Sequence, residues 1–406
     1  MLLRWWHEGV RDKPFRVVTE RLLLAWCAAL GWSGRCLTRL WHWLRRVPPP
    51  PALTQVAITS ILCLRPDRIG DLVLLTPALS ALRERFPQAA ITLLASEKTR
   101  VLVDGHPDVD DVATVPGDRL LDFWRGRVTL HRLRERHFDV IIVFESVWNC
   151  AFLAWWLGGR VRVGYDEQGA GFLLTHALPY PYRQEKVHQV VVNAKLVVAL
   201  GCSEATATGS LHIQVFPSVL EAARRWLEAH DVSSALPLVM IHPGSRARYN
   251  QWEPERFGAV AEWLHRETRT RLLILSGPGE TAVVRQMRKV LSFEPAIVEG
   301  LPLEQVAALM SCCRLFIGNS TGTTHLAAAV GPLTVMIIGG THPLDCPEHW
   351  GPWGGRHLIA HKRPREAIGR DTSRWLGPEG LRHIHPDDVI RLIRPHLSEG
   401  LVRHPG

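Results

Sequence analysis

Several familiar signatures are missing from this chain of 406 residues. None of its eight cysteines (27, 36, 63, 150, 202, 312, 313 and 346) forms a CxxC pair or sits at metal-type spacing from histidine. That excludes a disulfide framework and a zinc site, and points to a reducing compartment. The glycine-rich turn at 318–325 lacks a GK[ST] ending, so it is not a Walker loop, and Gly277-Pro278-Gly279 does not complete a dinucleotide fingerprint. Low-complexity sequence is confined to the proline run 48–51. Within residues 1–46 the longest uncharged stretch, Leu22–Gly34, is thirteen residues, short of the roughly 20 a spanning helix needs. That apolar part starts late and no clear small-x-small site follows, which argues against a secretory leader.

What remains is a globular composition, 46% hydrophobic and 21% charged, in a chain long enough for two domains. Its net charge of +9 favours anionic partners: nucleic acid, acidic head groups or a phosphorylated substrate. The charge is uneven. Residues 1–46 hold nine Arg or Lys against three acids, so +6 of the +9, together with six of the sixteen tryptophans. Tryptophan mixed with arginine on helix-forming sequence is what an in-plane interfacial helix requires; a helical hairpin packed on the catalytic body is the other reading. The four prolines then end the helix and act as a stiff spacer. No nucleic-acid motif is present, and the basic residues cluster in a Trp-rich amphipathic segment, so a nucleic-acid partner is disfavoured.

Beyond the prolines, short apolar runs alternate with helical ones. Strands are expected at 57–64, 90–95, 110–115 and 140–144, with helices over 72–85 and 127–136. After a boundary region at 201–237 the pattern restarts: strands at 238–241, 271–276, 315–317 and 333–338, and helices over 254–266, 280–291, 302–310, 324–330 and 386–397. Such alternation predicts an α/β fold of two doubly wound, Rossmann-like domains with a ligand cleft between them. The expected division is an extension and spacer at 1–51, an acceptor-binding domain at 52–215, a nucleotide-sugar-binding domain at 216–375 and a helical tail at 376–406.

Three turns at strand ends could carry chemistry. Arg65-Pro66-Asp67-Arg68-Ile69-Gly70-Asp71 opens the first helix; its glycine permits close backbone approach, and Asp71 reads either as a helix cap or as a site residue. His242-Pro243-Gly244-Ser245-Arg246-Ala247-Arg248 reads as a diphosphate cradle or as a surface loop. In Gly318-Asn319-Ser320-Thr321-Gly322-Thr323-Thr324-His325, hydroxyls and glycines enter a helix, where backbone N–H groups hold phosphate, and His325 could donate to it.

Taken in order, Arg65–Pro77 (RPDRIGDLVLLTP), His242–Ser245, Gln251–Phe257, Ser276–Glu280, Gly318–Ala329 and His349–Pro352 resemble glycosyltransferase family nine, the ADP-heptose:lipopolysaccharide heptosyltransferases. The resemblance spans about residues 57–362 and leaves out the N-terminal 46. It implies a GT-B fold with no required metal or cofactor, and inverting transfer from ADP-heptose to the lipopolysaccharide inner core. Asp71 would be the general base. Ser320, Thr321, Gly322 and His325 would form the donor diphosphate loop and Gly244 and Ser245 a second phosphate turn. Arg65, Arg68 and Gly70 would face an anionic glycolipid acceptor, at the cytoplasmic face of the inner membrane. The chain departs from the family where Asn250-Gln251 replaces a common lysine and Ser320 a common aspartate; Arg246 or Arg248 could supply the missing cation. A different sugar nucleotide or glycan acceptor, or a membrane-associated scaffold without turnover, are the alternatives.

Overall fold

In a computed structural model, residues 58–167, 169–181, 186–232, 236–268, 270–340, 346–362 and 377–397 are described. The basic extension, its proline spacer and part of the tail lie outside the described residues. Two parallel six-stranded sheets are present, as the alternating pattern requires. The first contains β1 (Ser60–Arg65), β2 (Ala90–Ser96), β3 (Asp111–Val115), β4 (Val140–Val143), β5 (Val161–Asp166) and β6 (His176–Pro179), ordered β3-β2-β1-β4-β5-β6. The second contains β7 (Leu238–His242), β8 (Arg271–Ser276), β9 (Ala296–Glu299), β10 (Leu315–Asn319), β11 (Leu333–Ile337) and β12 (His357–Ala360), ordered β12-β11-β10-β7-β8-β9. Each thus has the doubly wound order, with chain direction across the sheet reversing between β1 and β4 and between β7 and β10. All five pairings of the second sheet are parallel. The central strands β1, β4, β7 and β10 are buried almost throughout, which is why they read as continuous apolar runs.

The described residues form two compact units: 58–66, 88–94 and 113–180 make one, and those within 67–87, 95–112 and 181–397 the other. The first has a core of Leu62, Leu64, Phe123, Leu130, Ile141 and Leu153 among others; the second is built on Val239, Ile241, Trp252, Phe257, Ile317 and Val335.

The sequence expectation of one helix over 72–85 is corrected. Helix Ile69–Val73 is followed by a separate helix Thr76–Arg85. Pro77 has no N–H to donate to Val73, and the Thr76 hydroxyl bonds that carbonyl instead, at 2.8 Å. The 201–237 stretch is likewise more than a boundary, since it carries the helix Pro217–Ala229. No helix among the described residues is long and apolar enough to cross a membrane.

Three buried histidines in the second unit and the half-buried His188 shape its response to acid. His106 is 2% exposed, its Nδ1 accepts from Asp108 N at 3.2 Å, and its ring stands edge-on to His212. Burial lowers its pKa from 6.5 to about 4, against the attraction of Asp108. His188 and His325 are lowered to about 4 and His349 to about 3, burial being the largest cause in each. In the unfolded chain these rings protonate near 6.5, so between about 6.5 and 4 the unfolded state binds protons the folded state refuses. Stability is therefore full above about pH 6.5 and falls as the pH drops towards 4. His106→Asn, which keeps an acceptor for the Asp108 N–H, should lose less melting temperature than the native chain between pH 7 and pH 5, read by thermal unfolding at a series of pH values.

Candidate active site

The site begins with a buried amide. Asn319, the last residue of β10, is fully buried, and its Nδ2 donates to Pro243 O (3.0 Å) and Gly244 O (3.1 Å). Its Oδ1 accepts from Trp252 N at 2.9 Å. One side chain therefore ties the turn after β7, the end of β10 and the Gln251–Phe257 segment together. Trp252, itself fully buried, extends the tie by donating Nε1 to Ile384 O at 2.9 Å. The Thr324 hydroxyl donates to Asn319 O at 2.6 Å and fixes the entry to the helix Gly322–Val330.

A second chain of hydrogen bonds runs across the same turns. Glu280 Oε2 accepts from Gly277 N at 2.7 Å and lies 2.8 Å from His242 Nε2. Burial works against ionising this carboxyl, but the bond and charge of His242 and the Gly277 N–H outweigh it and hold the pKa below the ordinary value. An ionised carboxylate has no proton to give, so Nε2 donates. On the other side of the ring Nδ1 lies 2.8 Å from the Thr323 hydroxyl, which in turn lies 2.8 Å from that of Thr321. The order Glu280–His242–Thr323–Thr321 orients the hydroxyls of the glycine-rich turn from the end of β8. Gly244 is required here: a Cβ on it would lie 2.2 Å from either Glu280 carboxylate oxygen.

Asp71 enters through two glycines. The helices Ile69–Val73 and Gly322–Val330 meet where a Cβ on Gly70 would lie 2.8 Å from His325 Cδ2 and 3.2 Å from Gly322 Cα. A Cβ on Gly322 would lie 2.9 Å from Gly70 N. Both helices belong to the second unit. Asp71 is 6% exposed, with Arg68 Nε at 3.7 Å from its Oδ2. It is the third residue of its helix, and the N-cap is Arg68, which makes no side-chain cap bond; the reading of Asp71 as a cap is corrected accordingly. His325 is 3% exposed, and burial and His188 depress its pKa while Asp71 opposes them. Its Nδ1 is buried and has no hydrogen-bond partner among the described residues. Around it stand His188, whose Nε2 lies 2.9 Å from Gly351 O, and Trp350, with ring centroids 6.3 Å from His325.

The other residues singled out in the sequence divide by position. Ser320 is half-buried, and Asn250 Nδ2 donates to its carbonyl at 2.7 Å, so the two departures from the family pattern touch. Ser245 Oγ accepts from Ala247 N at 3.3 Å, closing its own turn. Arg246 and Arg248 are exposed on that turn and pair with no carboxylate among the described residues. Arg68 is 61% exposed. Arg65 belongs to the first unit, where it is 2% exposed, donates Nη1 to Phe144 O at 2.6 Å and lies 3.5 Å from Glu145 Oε2. Its guanidinium is thus engaged with its own sheet. Asn319, His242 and Glu280 lie within the motifs but received no role from the sequence. Their signal was a polar residue at the buried end of an apolar strand, or just after one.

Two parallel sheets in doubly wound order, with these turns at strand C-termini, define a GT-B glycosyltransferase fold. A glycosyl transferase family 9 structure from Veillonella parvula DSM 2008 superposes with a TM-score of 0.73 at 21% identity, covering 87% of this chain and 100% of that one. An Escherichia coli heptosyltransferase solved with ADP gives a TM-score of 0.61 at 17% identity, covering 85% of this chain and 100% of its own. The family model "Glycosyltransferase family 9 (heptosyltransferase)" matches residues 127–370, and the chain belongs to that family; it is a glycosyltransferase. Lipopolysaccharide heptosyltransferase 3 of Escherichia coli is 25% identical over 305 residues, 71% of this chain and 85% of that relative.

Asn319→Ala removes three hydrogen bonds and leaves the Trp252 N–H and two carbonyls buried without their partner. A loss of about 3 kcal/mol is expected, since each buried polar group left unsatisfied costs about 1–3 kcal/mol; urea unfolding of the purified chain measures it.

Proposed function

We propose that this glycosyltransferase moves heptose from ADP-heptose to the inner core of lipopolysaccharide, inverting the anomeric centre, with Asp71 as general base. The observation that carries the reading is the Gly70–Gly322 approach, which sets a nearly buried carboxylate beside the start of a phosphate-type helix. In the reaction, the acceptor hydroxyl gives its proton to Asp71 as its oxygen attacks the anomeric carbon. The bond from that carbon to the diphosphate oxygen breaks and ADP leaves. Charge developing on the diphosphate must be met by donors already in place. The amides of Gly322 and Thr323, at the first helical positions, have no carbonyl one turn earlier to bond, so they are free to do this. His325, neutral near pH 7 at a pKa of about 4, donates one hydrogen bond without adding charge. Arg246 and Arg248 on the turn after β7 replace the family lysine, while Arg68 and Gly70 face the acceptor. Arg65, whose Nη1 donates to Phe144 O beside Glu145, is the third residue of the acceptor set in this reading.

The donor assignment is supported by the relatives' names and by the E. coli heptosyltransferase, solved with ADP and with ADP-2-deoxy-2-fluoro heptose. An anionic glycolipid acceptor agrees with the net charge of +9, and the site of action is then the cytoplasmic face of the inner membrane. The contact of Asn250 with Ser320 favours one variation on this reading, a different sugar on the nucleotide. There the family's lysine and aspartate are both replaced by neutral groups, leaving the balance of charge intact.

Titration of the chain with ADP, ADP-heptose, UDP-sugars and GDP-sugars decides the donor; ADP-heptose should bind best. Asp71→Asn should keep that affinity and lose turnover on a core-lipid acceptor by about 10²–10⁴, the usual worth of a general base. Another preferred sugar nucleotide would replace the substrate, and no nucleotide binding at all would leave a scaffold. Glu280→Gln frees the His242 ring from its fixed tautomer and should weaken ADP binding about tenfold, a loss of the order expected when an orienting partner behind a binding group is removed. Calorimetric titration reads it; unchanged affinity would detach Glu280 from the donor site.

A further inference from the structure

The first unit carries an outer face that no described residue covers. The helices Leu120–Arg125 and Arg127–Glu135 are separated only by Gly126. Their inner side is ordinary core: Phe123, Leu130 and Leu133 are buried with Ile141 and Leu153. Their outer side is apolar as well. Leu120 is 42% exposed, Leu121 45%, Trp124 64% and Val128 58%, and together they leave an exposed apolar stripe along the two helices, with 120 and 124 one turn apart on the first. Trp155, on the helix Trp148–Leu157 that packs beside them through Trp156 and His131, is 51% exposed.

The two helices and their flanks also carry a surplus of positive charge. Arg119, Arg125, Arg127, Arg132, Arg134 and Arg136 are all exposed, against Asp122 and Glu135, giving +4 over residues 119–136. Outside residues 1–46 the whole chain carries only +3, so this segment exceeds the surplus of everything else. Three of the arginines lie over aromatic rings: Arg127 over Trp124 (4.9 Å), Arg134 over Trp156 (4.8 Å) and Arg136 over Phe138 (4.9 Å).

We propose that this stripe is a membrane-docking surface for a bilayer of anionic phospholipid, separate from any contact made by residues 1–46. Indole and leucine side chains exposed among guanidiniums suit the boundary between acyl chains and phosphate head groups. The cations complement the negative surface potential of such a leaflet. Aliphatic Leu120, Leu121 and Val128 would gain nothing from a nucleic-acid backbone, and the net positive charge of residues 119–136 would repel a second copy of the same surface. The inference does not depend on which sugar is transferred.

The test is flotation of the full chain with vesicles of phosphatidylglycerol and phosphatidylethanolamine, compared with phosphatidylcholine alone. The native chain should bind the anionic vesicles and lose most of that binding on the neutral ones. Arg125→Gln with Arg127→Gln should weaken binding to anionic vesicles about 25-fold, at about fivefold per arginine near a charged leaflet. Leu121→Ser with Trp124→Ser should weaken it about tenfold or more, by removing inserted apolar area. All four side chains are exposed, so both variants should melt and bind ADP as the native chain does. Native-like vesicle binding by both variants would overturn the proposal and assign docking to residues 1–46. Equal binding of the native chain to neutral vesicles would overturn it too, as would a change in oligomeric state with vesicle binding intact. Failure of ADP to bind the native chain would sink the donor assignment and leave the vesicle result standing.

Discussion

The buried side chain of Asn319 is the constraint from which the candidate site hangs. The turn after β7 and the backbone at Trp252 converge on this amide at the end of β10 from 67 to 76 positions earlier in sequence. With no exposure, water cannot stand in for any of these bonds. The backbone of the two phosphate-type turns is therefore set by the fold, before any ligand arrives. Trp252 and Arg256, both donating to Ile384 O, carry the same tie out to the C-terminal helices.

The site built on this tie holds its charge at the rim and keeps its interior neutral. Arg68, Arg246 and Arg248 are exposed, while His325, His188 and His349 are held in their neutral forms chiefly by burial. Two carboxylates are the exceptions: Asp71, with Arg68 beside it, and Glu280, matched by His242 and the Gly277 amide. Such an interior binds a charged leaving group through directed N–H donors, and the cations outside provide long-range attraction.

Much of this was legible in the sequence, for reasons that differ by element. The central strands were found because burial on both faces leaves an unbroken apolar run, as in Val140–Val143 and Leu315–Ile317. The edge strands β6, β9 and β12 were missed, being four residues each with mixed polarity, as was the interior strand β5, whose run is broken by Arg162 and Asp166; so were the helices Trp148–Leu157 and Gln189–Val198. The turn chemistry was legible because glycine and hydroxyl residues at strand ends have few other uses. The roles of Asn319, His242 and Glu280 were not, since each depends on partners up to 81 positions away that only folding brings close. Arg65 read as a site cation beside Asp67 and Arg68, but its bond to Phe144 O, 79 positions on, could not be read from the sequence.

Compact packing and chain order disagree at two segments, 67–87 and 95–112. Residues 67–87 follow the first strand of the first sheet, yet they cluster with the second unit, where Gly70 meets Gly322. A gene divided at the linear junction between the sheets would put the carboxylate in one fragment and its histidine neighbour in the other. Neither half could then hold both, and the two sheets cannot be exchanged between relatives as independent modules. Recombination that respects function has to carry the loop and helix after β1 along with the C-terminal sheet, so inheritance of this site is discontinuous in sequence although it is continuous in space.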